Sequence, residues 1–233
     1  EKQGVVLKKE KCSFYCKEVE YLGHVISGKG IKPRPGLMNS IVKSPPPRDK
    51  TGVKSFLGMC EFYSKFIPNF ATRVRPISNL LRGGVKFEWN MECESAFDEI
   101  KRVLNNSQAL KPFDPTLPCC ITVDASNVGL GALLTQEVGN VEVTVAFASR
   151  VLRQAELHYS VIEKELLACS WAIAKFRTFI WGRRFQLLTD HKTLVAMLGG
   201  SDMKCSTPRI VRLCSKIMQY QFDVKHIQGG EKH

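Results

Sequence analysis

The chain has 233 residues, of which 44% are hydrophobic and 24% are charged, a composition typical of a folded protein of one or two domains and not of a disordered chain. Lysine and arginine number 34 against 22 aspartate and glutamate, so the formal charge is +12 at pH 7. This excess favours a polyanionic partner such as nucleic acid, although a basic solvated surface alone would also produce it. No apolar run approaches the roughly 20 residues that span a bilayer, so we expect no membrane partner.

The beginning of the chain and its cysteines indicate the kind of polypeptide it comes from and its cellular compartment. The sequence starts Glu-Lys-Gln-Gly-Val-Val, without an initiator methionine or a signal-peptide h-region, so we expect a piece of a longer polypeptide. Nine cysteines are scattered through mostly apolar stretches, which favours reduced thiols in an intracellular protein over a disulfide framework. The pattern does not distinguish a cytoplasmic particle from the nucleus.

Residues 12–50 predict a β-hairpin followed by two chain breakers. The hairpin strands are expected at 12–16 and 19–26, and the breakers are the proline segments at 32–35 and 45–47. An alternative for this region is a zinc site formed by Cys12, Cys16 and His24, but no fourth ligand follows at zinc-finger spacing.

Residues 51–104 predict three helices. Phe56, Cys60, Tyr63 and Ile67 form one apolar stripe, and Pro68 ends that helix. A second helix is expected before Gly83-Gly84, and a third after an Asn90 cap. Five basic residues lie among the aromatic ones: Lys54, Lys65, Arg73, Arg75 and Arg82. Taken alone, this region is typical of a small helical bundle with a solvated charged face.

From residue 112 onward the pattern changes to strands and then to alternating strands and helices. Strands are expected at 118–124, 130–135 and 141–148, with Gly139-Asn140 as a hairpin turn. A long helix is expected at 155–178, a strand at 185–190, a short helix to Gly199-Gly200, a helix beginning at Ser206-Thr207-Pro208 and a final strand at 222–227. This order predicts an α+β or α/β fold in which an antiparallel hairpin set is extended by parallel strands.

Three carboxylates stand out because each lies at the end or the edge of an apolar segment. Asp124 closes the apolar run 119–124, and Asp190 closes the run 185–190. Glu165 projects at the edge of the buried face of the long helix, whereas Glu163 is about 200° away and is expected on a solvated face. The alternatives are that either aspartate caps a turn and that Glu165 pairs with a lysine or arginine.

Acids that converge from two strand ends and one helix suit the binding of Mg²⁺, which prefers hard oxygen ligands. A pair of such ions can hydrolyse a phosphodiester by in-line displacement. Together with the basic charge, this arrangement predicts an enzyme that acts on nucleic acid.

Several motifs resemble the reverse transcriptase thumb and ribonuclease H region of Gypsy-class LTR retrotransposon Pol polyproteins, in the same order along nearly the whole chain. The ribonuclease H motifs are Val123-Asp-Ala-Ser126, Gly129-Leu-Gly-Ala132, Ala146-Phe-Ala-Ser-Arg150, Glu156-Leu-His-Tyr-Ser160, Ile162-Glu-Lys-Glu-Leu-Leu-Ala168 and Thr189-Asp-His-Lys-Thr-Leu194. Tyr21-Leu-Gly-His24 is similar to the primer-grip hairpin that ends the palm of reverse transcriptases. The motifs Phe56-Leu-Gly58, Tyr63, Phe66-Ile-Pro68 and Phe70 are similar to the thumb that follows.

The resemblance implies a domain plan and a fold. Residues 1–31 correspond to the end of the palm, 32–113 to a helical thumb or connection, and 114–233 to a ribonuclease H-like domain that stops before its usual end. The expected architecture is therefore a small helical thumb-like subdomain followed by a ribonuclease H-like mixed five-stranded sheet flanked by helices.

The resemblance also implies an activity. Asp124, Glu165 and Asp190 match catalytic acids that hold two Mg²⁺ ions, for which Mn²⁺ can substitute, and the substrate is the RNA strand of an RNA–DNA hybrid. The resemblance implies that the helical region clamps the hybrid and contacts its phosphates without recognising the base sequence. The residues implied in nucleic-acid binding are Tyr21, Leu22, Gly23, His24, Lys54, Lys65 and Arg73.

Two departures from the family pattern qualify this expectation. No Asp-Asp dipeptide occurs in the chain, so the polymerase signature is absent, and the palm and fingers of the parent polyprotein are expected partners. Family members also continue past residues 229–233 to a fourth metal-binding aspartate, which predicts weak or no nuclease activity without that segment and normal activity when it is restored. The alternative functions are a decayed or host-adopted module that binds nucleic acid without cutting it, and a structural subunit that pairs with an active polymerase.

Overall fold

The computed structural model describes residues 8, 10, 12–200 and 207–228. Within these residues the strands are β1 (Glu18–Tyr21), β2 (His24–Ser27), β3 (Gly30–Pro33), β4 (Cys119–Ala125), β5 (Gly129–Val138), β6 (Val141–Val151), β7 (Arg184–Thr189) and β8 (Gln221–His226). The α-helices are α1 (Pro35–Val42), α2 (Lys50–Phe62), α3 (Phe70–Arg73), α4 (Arg75–Asn79), α5 (Met91–Asn105), α6 (Val161–Lys175), α7 (Arg177–Ile180), α8 (Lys192–Leu198) and α9 (Pro208–Ile217). No helix in the described part of the chain combines the length and apolarity that crossing a membrane requires.

Strands β1, β2 and β3 form an antiparallel three-stranded sheet. The predicted hairpin was wrong in its boundaries, because residues 12–16 are not a strand and residues 19–26 contain a turn. Leu22 and Gly23 have φ values of 45° and 76°, so they form a tight two-residue turn that joins β1 to β2. Leucine rarely takes this left-handed conformation, so the local sequence gave little sign of the turn.

The helices between residues 35 and 105 enclose an aromatic core. Phe56 and Phe97 contact each other at its centre, with ring centroids 4.7 Å apart, and Tyr63 and Ile100 are almost fully buried beside them. The predicted Asn90 cap is confirmed, because its side-chain oxygen accepts a hydrogen bond of 3.0 Å from the Cys93 N–H. The first predicted helix was expected to end at Pro68 but ends at Phe62, and Ser64–Phe66 form a separate 3₁₀ turn. The predicted second helix corresponds to the short α4, which ends at Asn79, and α3 was not predicted.

The second sheet has the strand order β6-β5-β4-β7-β8. Strands β6, β5 and β4 pair antiparallel, whereas β7 pairs parallel with β4, and β8 pairs parallel with β7. The turn between β5 and β6 is Gly139-Asn140, with φ values of 57° and 65°. The prediction of an antiparallel hairpin set extended by parallel strands is confirmed, and so is the mixed five-stranded sheet flanked by helices.

Helix α6 packs on β4 and β5 and is shorter than the predicted helix 155–178. Residues Gln154–His158 form a separate 3₁₀ turn, and Ser160 caps α6 by accepting a hydrogen bond from the Glu163 N–H. Helix α9 begins after Thr207, whose side chain accepts a hydrogen bond from the Ile210 N–H, as predicted. Ser206 lies outside the described residues.

The buried apolar side chains form two clusters, one around the helices at 41–110 and one between the five-stranded sheet and α6 to α9. The two units contact each other directly. The Lys111 N–H donates to the Thr144 carbonyl at 2.8 Å, and the Ala71 N–H donates to Ser149 Oγ at 2.9 Å. Within the first unit, Ile31 pairs with Leu110 in an isolated bridge. The domain boundaries at 31/32 and 113/114 stay predictions, and the ends of the first and third ranges (1–7 and 229–233) lie outside the described residues.

Candidate active site and nucleic-acid surface

Asp124 and Asp190 lie at the ends of neighbouring parallel strands. Asp124 is in β4, and Asp190 is the residue after β7. Strands β4 and β7 pair with Thr122 opposite Leu188, so the same register continued by two residues brings Asp124 level with Asp190. Neighbouring strands are about 4.8 Å apart, and both aspartates are partly exposed. Both aspartates therefore lie at the carboxyl ends of neighbouring parallel strands, the edge of the sheet where binding crevices form in such folds.

Glu165 is held inside the protein by α6. Only 6% of its surface is exposed, and α6 packs on β4, the strand that carries Asp124. Helix α6 also packs on α8, which begins two residues after Asp190. Burial and then the Glu165 charge raise the pKa of the Cys169 thiol one helical turn away, so the carboxylate faces the inside of the fold.

The loop after Asp124 is fixed to the same helix. Ser126 Oγ accepts hydrogen bonds from the Val128 and Gly129 N–H groups at 3.2 and 3.0 Å, which closes a tight turn between β4 and β5. The buried Lys164, next to Glu165, donates from Nζ to Asn127 Oδ1 at 3.2 Å. This contact fixes the end of β4 relative to α6, and so fixes the backbone that carries two of the three acids.

The three side chains supply only carboxylate oxygens, which is the donor chemistry that Mg²⁺ and Mn²⁺ accept. Over residues 12–200 and 207–228, however, no three or more His, Cys, Asp and Glu side chains are grouped closely enough to hold a metal ion. This finding covers the three acids and also the Cys12, Cys16 and His24 alternative. The assignment of the three acids as metal ligands therefore stays a prediction.

Glu163 was predicted to lie on a solvated face, and that prediction was wrong. It is 7% exposed and completes a capping box, in which its Oε2 accepts hydrogen bonds from the Ser160 N–H and Oγ. Its other oxygen accepts a hydrogen bond from Arg209 at 2.8 Å. The hydrogen bond from the Ser160 backbone, followed by that from Arg209, lowers the pKa of Glu163. Arg209 follows 46 residues later on α9, so helical spacing within α6 gave no sign of this partner.

The turn at Tyr21–His24 presents apolar side chains to solvent. Tyr21 is 62% exposed and Leu22 is 72% exposed. Two aromatic residues at the end of α2 support the turn from behind. The hydroxyl of Tyr63, the residue after the helix, donates to the Gly23 carbonyl at 3.1 Å, and the ring of Phe62, the last helical residue, stacks on the His24 ring with centroids 5.1 Å apart. Sequence reasoning did not select Phe62. Its sequence signal is that an aromatic residue lies off the apolar stripe of α2, and the structure shows that its side chain is half-exposed.

The three basic residues assigned to nucleic-acid binding have different surroundings. Lys54 is exposed on α2. Lys65 is partly buried, which lowers its pKa, and its Nζ lies 5.3 Å from the centre of the Phe66 ring. Arg73 pairs with Glu99 and donates to the Pro68 carbonyl at 2.8 Å. Lys54 and Lys65 therefore have more freedom to reach a phosphate than Arg73 has.

A comparison with protein families matches residues 89–187 to the model described as "RNase H-like domain found in reverse transcriptase". The matched range contains Asp124 and Glu165 and ends three residues before Asp190.

Similar proteins cover nearly the whole chain. The chain is 37% identical over 227 residues to the retrovirus-related Pol polyprotein from transposon 412 of Drosophila melanogaster, an alignment that covers 97% of this chain and 18% of that protein. It is 32% identical to the corresponding polyprotein from transposon gypsy of the same organism, covering 97% of this chain and 22% of the relative. The chain thus spans about a fifth of the length of these curated relatives.

Solved structures share the fold. A foamy viral protease-reverse transcriptase in complex with dsDNA superposes with a TM-score of 0.74 at 21% identity, covering 92% of this chain and 45% of the viral chain. The same type of viral protein in complex with an RNA/DNA hybrid superposes with a TM-score of 0.72 at 22% identity, covering 91% and 29%. These matches include both the helical unit and the five-stranded sheet, which has the ribonuclease H-like fold.

Proposed function

We propose that the protein hydrolyses the RNA strand of an RNA–DNA hybrid. Residues 89–187 match the model of the RNase H-like domain found in reverse transcriptase, and the chain is similar over nearly its whole length to Pol polyproteins of LTR retrotransposons. One observation carries the proposal. Strands β4 and β7 pair in parallel as far as Thr122 and Leu188, two residues before Asp124 and Asp190, and the helix packed on β4 carries the buried Glu165. This arrangement supports a shared site for the three acids.

In this proposal Asp124, Glu165 and Asp190 hold two divalent cations, Mg²⁺ or Mn²⁺. When bound, such ions supply an activated water and stabilise the charge on the leaving oxygen. The protein contributes a rigid frame: the Ser126 turn and the Lys164–Asn127 hydrogen bond fix the end of β4, and the capping box of Ser160 and Glu163 fixes the start of α6. The three acids then stay at constant positions while a phosphodiester enters.

The helical unit has a positioning role in the same proposal. Lys54 and Lys65 contact phosphates, and the turn at Tyr21–His24 offers Tyr21 and Leu22 to the sugar or base surface of the duplex. The palm and fingers of the parent polyprotein extend this contact along the hybrid. Phosphate contacts of this kind carry no sequence information and weaken as salt rises.

The experiment is an assay of Mg²⁺-dependent cleavage of a hybrid with a labelled RNA strand, comparing the wild type, Asp124→Asn and the control Asp98→Asn. Asp98 is an exposed acid on α5, so its substitution removes the same charge away from the strand ends. We expect Asp124→Asn to lower the rate by at least about 100-fold, since loss of even an outer-shell metal partner costs 10–100-fold, and Asp98→Asn to cleave as the wild type does. An Asp124→Asn variant that cleaves as fast as the wild type, or an Asp98→Asn variant that loses as much activity as Asp124→Asn, would contradict the proposal.

A second candidate function is binding of nucleic acid without cleavage. The formal charge of +12 favours it as much as it favours cleavage, because a basic surface attracts nucleic acid whether or not cleavage follows. A wild type that binds the hybrid equally with Mg²⁺ and with EDTA, and cleaves in neither, would select this function.

A further inference from the structure

A groove of about 590 Å³ lies between α6 and α9, on the side of α6 away from the acids. Leu167, Ser170 and Ala174 of α6 line it. At about 100° per residue these positions lie roughly 140° to 200° around the helix from Glu165. The groove is therefore separate from the site described above, and the proposed nuclease mechanism does not use it.

The groove is strongly basic. Helix α9 contributes Arg209, Arg212 and Lys216, whose spacings of three and four residues place them on one stripe. Arg150 and Arg153 line the same groove from the other side. Five cations face two carboxylates, Glu156 and Glu163, so three positive charges remain in excess.

The two carboxylates hold two of the arginines in fixed positions. Glu156 accepts two hydrogen bonds from Arg150, at 2.6 and 3.0 Å, and Glu163 accepts one from Arg209. Arg153, Arg212 and Lys216 are exposed. The fixed pairs shape the walls of the groove, and the exposed cations are available to an incoming anion.

Aromatic rings alternate with these cations along the surface. The Arg209 guanidinium lies 4.0 Å from the Tyr159 ring centre, and the Arg150 guanidinium lies 5.9 Å from the Trp171 ring. Tyr220, which lines the groove, contacts Trp181 edge to face. Trp181 lies next to the groove, is 60% exposed, and has the Arg177 guanidinium 4.4 Å from its ring centre. Alternating cations and aromatic rings are the features with which proteins bind single-stranded nucleic acid, through its phosphates and its stacked bases.

We propose that this groove is a second nucleic-acid site, which binds a single strand of RNA or DNA. A groove of this volume is the size of a small-ligand pocket, so it holds a short single strand but not the body of a duplex. The exposed Trp181 ring favours a nucleic acid over an acidic peptide, because bases stack on aromatic faces whereas carboxylates do not. The site would hold a strand that is not paired in the hybrid.

The test is fluorescence anisotropy of labelled oligo(U) and oligo(dT) with the full chain in EDTA, so that cleavage has no influence on the result. The groove variant is Arg212→Gln with Lys216→Gln. The control is Lys86→Gln with Lys175→Gln, which removes the same charge from two exposed positions outside the groove. We expect the groove variant to bind at least about tenfold more weakly. The slope of log affinity against log salt should fall by about 1.4, because a single strand loses about 0.7 per phosphate contact. The control should bind as the wild type does.

Stacking is tested separately with Trp181→Ala and Trp181→Phe. Since stacking of one base is worth about 1–3 kcal/mol, Trp181→Ala is expected to weaken binding about fivefold or more, and the ring of Trp181→Phe should restore most of the loss. Equal losses for the groove variant and the control, or a labelled polyglutamate peptide that binds as tightly as oligo(U), would overturn the proposal. Hybrid cleavage by the wild type is measured in parallel with Mg²⁺, so failure of the nuclease proposal is seen independently.

Discussion

The helical unit and the five-stranded sheet unit differ in whether they bury charged side chains. In the helical unit, within the described residues, the buried side chains are apolar or aromatic and every charged group keeps contact with solvent. In the sheet unit four charged side chains are buried, and all of them lie on α6 or just before it: Glu156, Glu163, Lys164 and Glu165.

This difference concerns the stability of the sheet unit. Burial of a charge costs stability unless a partner or a function offsets the cost. Arg150 accounts for Glu156, Ser160 and Arg209 account for Glu163, and Asn127 accounts for Lys164. Glu165 is one of the three acids assigned to the proposed metal site. The sheet unit therefore combines buried charged side chains with that proposed site, whereas the helical unit has an apolar and aromatic core.

The largest expected effect comes from truncating the core of one unit. Phe97→Ala removes a fully buried ring in contact with Phe56 and should cost about 3–5 kcal/mol of unfolding free energy. Because the two apolar clusters are separate, hydrogen exchange should speed up in α5 and stay slow in β4. Leu166→Ala should give the reverse pattern at about 2–5 kcal/mol. Equal loss of protection in both units would show that they unfold as one.

A smaller effect is expected at the contact between β3 and residue 110. Gly30 has a φ of 127°, and a Cβ atom there would overlap the Leu110 carbonyl oxygen. Gly30→Ala should therefore lower stability by about 1–3 kcal/mol, from backbone strain and loss of the Ile31–Leu110 bridge. Gly28→Ala is the matched control, since nothing lies within 4 Å of its Cβ position. Chemical denaturation gives the unfolding free energy of both variants. A Gly30→Ala variant as stable as the wild type would contradict the structure.

The buried acids of the sheet unit predict a pH effect. Glu163→Ala loses the capping box and should cost about 1–2 kcal/mol at pH 7. Hydrogen bonds from Ser160 and Arg209 lower the pKa of Glu163 below its ordinary value of 4.5. The folded state therefore binds the proton more weakly than the unfolded state. The stabilisation is complete above about pH 4.5 and disappears as the pH falls through the folded pKa.

Glu163→Gln isolates this titration, because glutamine preserves the capping geometry but does not ionise. Its unfolding free energy should fall less steeply than that of the wild type between about pH 5 and 3. An identical slope for wild type and Glu163→Gln in thermal melts across this range would rule out the assigned pKa shift.

The smallest effect is expected for Tyr63→Phe, which removes only the hydroxyl that donates to the Gly23 carbonyl. A loss of about 1 kcal/mol is expected, together with weaker hybrid binding if the turn at Tyr21–His24 contacts the duplex. Phe62→Leu tests the packing behind the same turn. Unchanged hybrid affinity in both variants would remove this turn from the proposed binding surface.

Much of the sheet unit could be predicted from sequence because its signals are local. The Gly139-Asn140 turn, the apolar runs ending at Asp124 and Asp190, and the Thr207 cap each depend on neighbouring residues. The start of α6 could also have been predicted, since Ser160 and Glu163 have capping-box spacing. The predicted helix instead began at residue 155, six residues before α6 begins. The amphipathic pattern and the Asn90 cap likewise predicted α5.

The errors arose where distant residues determine the local structure. The turn at Leu22-Gly23 depends on Phe62 and Tyr63, some 40 residues later, and a leucine with positive φ has no local signature. Glu163 is buried because Arg209 covers it from α9. The basic groove combines residues from β6, α6 and α9, so it became visible only in three dimensions.

The most direct test of the proposed active site is a crystal structure with Mn²⁺, in which anomalous scattering locates the metal. We predict anomalous peaks at about 2.2 Å from carboxylate oxygens of Asp124, Glu165 and Asp190 together, and their loss in Asp124→Asn. Peaks elsewhere on the protein, or a crystal in which the three carboxylates are too far apart to share two ions, would contradict the assignment.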